Sequence, residues 1–313
     1  IIADCYKASG EPHPLASRNV LKHILRLYEE AGLRAQVAPE VEFFLVQKNT
    51  DPDYELMPHK GRSGRREVAR MSFSIDAVAE FEDFVEDMYD FADAQALDVD
   101  TLIHENGAAQ LEINFNHGDP LDMADQVFVF KRTVRETAQR HHMYATFMAK
   151  PMQKEPGSAL HIHQSILSLE TGRNIFNDVN DQPTPELMHY IAGLQRYTPD
   201  LISFYAPNVN SYRRLAPDIS APINLSWGYD NRTTAFRVPD STPVNRRVEN
   251  RFPGADANPY LAIAASLASG LLGLEHKLQP TAPHQGTAND DSVEVARSLE
   301  EAVRRLNANT DLS

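Results

Sequence analysis

The residues that most constrain this chain are Glu40 and Glu42, in the stretch APEVEFFLV from Ala38 to Val46. After Pro39 the run reads as a buried strand, and a strand's period of two points both carboxylates to the same face. Two anions in a dry site repel each other and lose their hydration, so a fold that keeps them there needs cations. Glu-x-Glu is also the pattern of a solvent face, but the continuation Phe43-Phe44-Leu45 is poorly suited to a wet one.

Composition narrows which cations and partners are in play. A chain of 313 residues that is 42% hydrophobic and 24% charged reads as a soluble globular protein of one large or two modest domains. Its formal charge of −14 disfavours nucleic acid and anionic membrane as partners, which need a basic surface. The single cysteine, Cys5, excludes an internal disulfide and a cysteine-rich zinc site, so a cytoplasmic location is expected. The sequence has no apolar run of membrane-spanning length. It opens on Ile-Ile and stops just after an amphipathic helix, and we read it as the central portion of a longer chain.

Element signals alternate between helix and strand. Ser17 reads as the N-cap of a helix that Gly32 stops, followed by a strand over 37–46 and a mobile loop over 49–70. One long helix is expected from Asp76 and another from Met123 to His142, with strands near 101–104 and 109–115 between them. Short strands YATFMAK and SALHIHQSI come next, then a helix over 185–204, a proline-spaced irregular stretch and strands at 232–238 and 247–252. The Ala-rich segment starting at Asn258 is apolar nearly all round and reads as a buried helix. The pattern predicts an α+β fold, with helices backing a curved, largely antiparallel sheet.

The strands collect chemistry on one face. HENGAAQLEINF places Glu105 and Glu112 around a Gly-Ala turn, and ALHIHQS puts His161, His163 and Ser165 on one strand face. RTTAFRVP carries Arg232 and Arg237, and RRVENRFPG carries Arg247, Glu249 and Arg251 at spacing two. Carboxylates with one or two imidazoles suit Mg²⁺ or Mn²⁺, and arginine forks beyond them suit phosphate or a substrate carboxylate. That layout points to phosphoryl transfer with metals bridging anions. A surface ion-pair ladder is the bland reading of Arg-x-Glu-x-Arg. No Walker loop or GxGxxG opening is present.

In this order the segments resemble the catalytic domain of the glutamine synthetase family, over nearly the whole chain. The resemblance implies residues 1–313 as a catalytic domain with a half-barrel sheet, ATP and two or more Mg²⁺ or Mn²⁺ per site. It implies Glu40, His161 and Glu249 as ligands of an outer metal, and Glu42, Glu105 and Glu112 as ligands of an inner one. Gly157, Arg214, Arg232 and Arg251 are implied on the glutamate side, and His163, Ser165, Arg237 and Arg247 on the ATP side. Arg232, Arg237 and Arg251 would stabilise the transferring phosphoryl group. The implied partners are L-glutamate and an amine, in a homo-oligomer of stacked hexameric rings with sites between subunits, each capped by a neighbour's N-terminal β-grasp domain.

Three departures from the ammonium-using enzymes point toward the γ-glutamylpolyamine or γ-glutamylputrescine synthetase branch. Pro156-Gly157-Ser158-Ala159 stands where an Asn-Gly-Ser-Gly run is usual, and Ser220 stands where a flap glutamate binds and deprotonates ammonium. Glu105 and Glu112 are also one residue closer together than usual. A glutamine synthetase proper, using ammonium, and a catalytically inactive structural member are the two competing readings.

Overall fold

Strand β1 (Leu33–Gln47) is the spine of the fold, and at 15 residues it is long enough to pair with three partners. The computed structural model describes residues 2–310 except 52, 69, 217–220 and 289–293, so Ser220 lies outside the described residues. On one edge, β1 residues 40–44 pair with β3 (Gln110–Phe115). On the other edge, residues 33–41 pair with β5 (Leu160–Ser168) and residues 44–47 with β4 (Met143–Thr146). With β2 (Val99–His104), β6 (Trp227–Tyr229), β7 (Phe236–Val238) and β8 (Val248–Asn250), the sheet runs β2-β3-β1-β5-β8-β7-β6. Every pairing is antiparallel except the short β6–β7 contact. The expected α+β class, an open and mostly antiparallel sheet backed by helices, is the one found.

Alternation along β1 divides the two faces. Val41, Phe43 and Leu45 enter the main core with the helices, and Phe43 stacks edge-on against Phe84 and Phe130. Each such fully buried apolar side chain contributes roughly 1.5–3 kcal/mol. Glu40 and Glu42 share the opposite face with Phe44 and Val46, which pack under Met152 and Leu56. The apolar run noticed in the sequence is therefore two stripes, and loop segments cover the half of the polar-bearing face that is apolar.

The helices form for local reasons. In α4 (Pro120–Arg140), α5 (Pro185–Tyr205) and α6 (Pro259–Glu275) the first residue is proline, and Asp119, Thr184 or Asn258 caps the preceding position. Helix α6 lies against α5, where Gly193 and Gly273 let the backbones approach so closely that a Cβ on Gly193 would sit 2.1 Å from the Ser269 carbonyl oxygen. Helix α1 (Ser17–Glu30) and helix α7 (Leu299–Ala308) complete the backing layer.

Three local expectations change. Ala16, not Ser17, holds the N-cap of α1, and no side chain caps it; Gly32, at φ 73°, follows the helix end as expected. The helix expected from Asp76 is two, α2 (Ile75–Ala79) and α3 (Glu82–Ala94). The break has a cause: the Arg62 N–H donates to the Glu80 carbonyl at 2.9 Å and the Ser63 N–H to its carboxylate at 3.0 Å, so the 60s loop docks where the helix would continue. The strand expected over 232–238 is only its last three residues, because Asn231 closes a turn by accepting from the Thr233 N–H at 3.0 Å. Arg232 therefore projects from a turn.

Candidate active site

Strand register assembles the site. Glu42 stands opposite Glu112, Glu40 opposite both His161 and Asn114, and His163 opposite Glu249, which in turn faces Arg237. Period-two alternation keeps all of these on the sheet face away from the helices. All but His163 line a cavity of about 350 Å³ that also takes in Glu105, Gly157, Arg214, Arg232 and Arg251. His163, Ser165 and Arg247 line a neighbouring cavity of about 530 Å³, and Glu40 and Asn114 border both. Eleven of the fourteen residues singled out by sequence thus share one chamber, and the other three share the next.

Short contacts bind the strands across this face. Glu40 meets His163 Nε2 through Oε1 at 2.7 Å and His161 Nδ1 through Oε2 at 3.2 Å. Glu249, only 1% exposed, accepts from Arg251 at 2.7 Å and from Arg237 at 3.0 Å. Arg237 also donates to Asp230 at 2.6 Å, and Arg247 donates to His163 Nδ1 at 3.1 Å. Buried Arg214 donates to the backbone carbonyls of Phe252 and Arg251 at 2.7 and 3.0 Å, which leaves donors of its five-hydrogen fork over. A Cβ on Gly157 would lie 2.7 Å from Arg214 Cγ, so this position must be glycine for the arginine to pass.

The titration behaviour separates two kinds of carboxyl. Burial alone would raise Glu40 and Glu249, but His163 and His161 pull Glu40 well below the ordinary range, and Arg251 with the histidines holds Glu249 at about 2. Burial pushes Glu42 and Glu105 up, and pushes Glu112 far up, with Glu40, Glu42, Glu105 and Glu249 adding repulsion at Glu112. Three acids on one face thus resist ionising without further positive charge.

A divalent cation fits this deficit. Ligand atoms of Glu40, His163 and Glu249 lie within 4.8 Å of one another, as do those of Glu40, Glu112 and His161. Hard oxygen donors with imidazole suit Mg²⁺ or Mn²⁺. Asn114 Oδ1 and Arg251 Nε, both buried in the chamber wall, have no hydrogen-bond partner, which suits a site that receives something polar. By proximity of ligand atoms, Glu40 belongs to both triplets and His163 joins one, while Glu42 and Glu105 face the same chamber outside either.

Comparison with known proteins settles the family. Residues 14–313 match the profile described as the glutamine synthetase catalytic domain. The chain belongs to the glutamine synthetase family. It is 38% identical over 272 residues to the γ-glutamylputrescine synthetase PuuA of Escherichia coli, covering 86% of this chain and 57% of that protein. It is 36% identical to a glutamate–isopropylamine ligase of a Pseudomonas species, over 97% of this chain and 67% of that one, and 36% identical to a glutamine synthetase of Pyrococcus abyssi, over 87% and 59%. The chain therefore spans about six tenths of the length of the E. coli and Pyrococcus relatives and about two thirds of the Pseudomonas one. A ligand-free structure of GmaS superposes with a TM-score of 0.84 at 30% identity, covering 99% of this chain and 71% of that one. A GmaS–ADP complex gives 0.86 at 29%, covering 99% and 72%. Among the described residues no helix is long and apolar enough to cross a membrane.

Some residues of this glutamine synthetase-type site went unread in the sequence. Gln110 donates through one amide nitrogen to Glu42 at 3.2 Å and to the Gly157 carbonyl at 3.0 Å, tying β3 to β1 and the 157 loop. Its place two residues before Glu112, on the same strand face, was the available signal. Glu67, from the loop read as mobile, accepts from the Ala109 N–H at 2.6 Å and meets His104 Nε2 at 3.1 Å, so it clamps the turn that carries Glu105. No spacing rule connects residue 67 with residue 109.

Proposed function

We propose that this protein is an ATP-dependent ligase that joins the γ-carboxylate of L-glutamate to an amine. The observation that carries the reading is the chamber itself: Glu40, Glu42, Glu105, Glu112 and Glu249 with His161 and His163 on one sheet face, rimmed by Arg214, Arg232, Arg237 and Arg251. In this reading a γ-carboxylate oxygen attacks the terminal phosphorus of ATP, the bond to the bridging oxygen breaks and ADP leaves. The amine lone pair then attacks the γ-carbonyl carbon, the C–O bond to phosphate breaks, and the nitrogen gives up a proton to yield the amide and inorganic phosphate. Residues 1–313 act as the catalytic domain, within a homo-oligomer of rings that light scattering would size.

The roles are those the family resemblance implies, and the grouping of these residues in two adjoining cavities supports them. Glu40, Glu112, Glu249, His161 and His163 would hold divalent ions, with Glu42 and Glu105 adjoining. Bound ions would neutralise the phosphates and spread the charge of the transferring group. Arg232 and Arg237 flank the position of that group, Arg251 and Arg214 hold the glutamate side beside Gly157, and His163, Ser165 and Arg247 face the nucleotide. Stabilisation is electrostatic, from donors fixed in place by β7, β8 and the Arg214 carbonyl contacts.

Support for an amine acceptor comes from relatives named for putrescine and for isopropylamine. The test is phosphate release by the full-length protein with ATP, Mg²⁺ and L-glutamate, comparing ammonium, putrescine, spermidine, ethanolamine and monoamines. Turnover with an amine and little with ammonium upholds the reading. Preference for ammonium makes the protein a glutamine synthetase, and no glutamate-dependent phosphate release with any acceptor removes the ligase assignment.

A further inference from the structure

Phe73 stands in the wall of the catalytic chamber with φ 62°, a left-handed conformation that a bulky residue rarely adopts. The segment is held there by its surroundings. The Phe73 N–H donates to the His104 carbonyl at 2.8 Å, and the Ser72 hydroxyl donates to Asn106 Oδ1 at 2.5 Å, one residue either side of Glu105. Strain retained in this way is a mark of a position with a task. What the strain achieves is presentation: Phe73 is 63% exposed and lines the chamber with the acids rather than folding into the core.

The rest of the wall indicates what the ring meets. Ile103 and Ala221 add further apolar surface to the same chamber. Five glutamates line it, Glu40, Glu112 and Glu249 in the candidate cation triplets and Glu42 and Glu105 adjoining them, and among the described residues no other acid lines it. A second ammonium on the acceptor would therefore meet a phenyl ring and an isoleucine in place of an anion, and burying an unpaired charge there is unfavourable. An alkyl group would be stabilised by the same surface.

We propose that Phe73 sets acceptor specificity by packing the alkyl part of a primary monoamine, so that amines ending in an apolar group are preferred over diamines of equal length. The inference rests on the ligase reading and adds to it the chemical class of the nucleophile. The alkyl group takes no part in bond making, so Phe73 acts on how well the nucleophile is held beside the γ-carbonyl carbon.

The deciding pair is pentylamine and 1,4-diaminobutane, which have the same number of heavy atoms and differ in a terminal methyl against a terminal ammonium. With the full-length protein, ATP, Mg²⁺ and L-glutamate, kcat/KM for pentylamine is expected to exceed that for the diamine by about tenfold or more. Phe73→Asp should shrink or invert that ratio, and Phe73→Leu should keep it. Equal or better turnover of the diamine by the unaltered protein overturns the proposal, as does a ratio that Phe73→Asp leaves unmoved. Should Phe73→Asp fail to fold, the alkylamine series on the unaltered protein decides: kcat/KM rising from methylamine to pentylamine upholds the proposal, and kcat/KM falling overturns it. Failure of the ligase reading looks different, because then neither amine nor ammonium gives glutamate-dependent phosphate release, and this inference falls with it.

Discussion

Glu42 and Glu112 face each other directly across β1 and β3, both nearly buried, and burial together with neighbouring carboxylates raises both acids. Replacing Glu112 by Gln keeps the shape and removes the negative charge that Glu112 carries whenever it ionises beside Glu42. The metal-free Glu112→Gln protein is expected to melt about 1–2 °C higher for each kcal/mol of repulsion relieved, and to lose most of the rise in Tm that Mn²⁺ gives the unaltered protein. Calorimetry after chelation, with and without added Mn²⁺, checks both. A lower Tm with an intact Mn²⁺ response would remove the pair from the metal site.

Glu249 is held by two guanidiniums, so its substitutions should separate charge from fold. Glu249→Ala strands Arg251 in the interior and should destabilise the protein by about 3–5 kcal/mol. Glu249→Gln keeps the volume and an acceptor oxygen, so it should fold better than the alanine variant while losing roughly 10²–10³ in kcat through the weakened charge arrangement. Phosphate-release kinetics alongside denaturant melts would show whether the two effects divide in this way.

Gly157→Ala is expected to act through Arg214. The added Cβ would lie 2.7 Å from both the Ala149 carbonyl oxygen and Arg214 Cγ, and of the two only the side chain can give way. Destabilisation of about 1–3 kcal/mol should accompany a KM for glutamate raised more than the KM for ATP. An unchanged glutamate KM would show that Arg214 does not contact this substrate.

Lys131, on α4 outside the two site cavities, supplies a pH dependence of its own. Burial, with help from Arg135, lowers its ammonium to about 8, while it donates to the Ala257 carbonyl at 3.0 Å and to that of Ala255 at 2.5 Å. Between about pH 8 and its ordinary value of 10.5 the unfolded chain binds this proton more readily than the folded one, so folding stability gains as pH rises through that window. Below pH 8 the cost of burying the charge is fully present. Lys131→Met removes the effect, so the Tm of the variant minus that of the unaltered protein should become more negative from pH 8 to 10.5. A flat difference would place the lysine in a wetter site than its burial indicates.

Much of the site was legible because sheets obey a short period. Glu40 and Glu42, His161 and His163, and Arg247, Glu249 and Arg251 each declare a shared strand face through spacing alone, and strand alternation does not depend on distant contacts. Helix starts were read at 185 and at Asn258, where a capping side chain precedes a proline, but three residues late at Met123, where the same signal at Asp119 and Pro120 went unread. Periodicity failed at Glu80, where a loop from elsewhere in the chain takes the carbonyl that would have continued the helix.

The sequence by itself determined which residues carry charge, which of them share a strand face and what class of fold could hold them, since these follow from local periodicity. Only the tertiary structure decided that Glu40 lies within reach of both His161 and His163, that Glu67 and Gln110 brace the acidic turn and strand, and that Phe73 faces the chamber. Those facts depend on register and on contacts between residues tens of positions apart. No local rule sets such contacts; they are fixed when the strands align and the loops close over them.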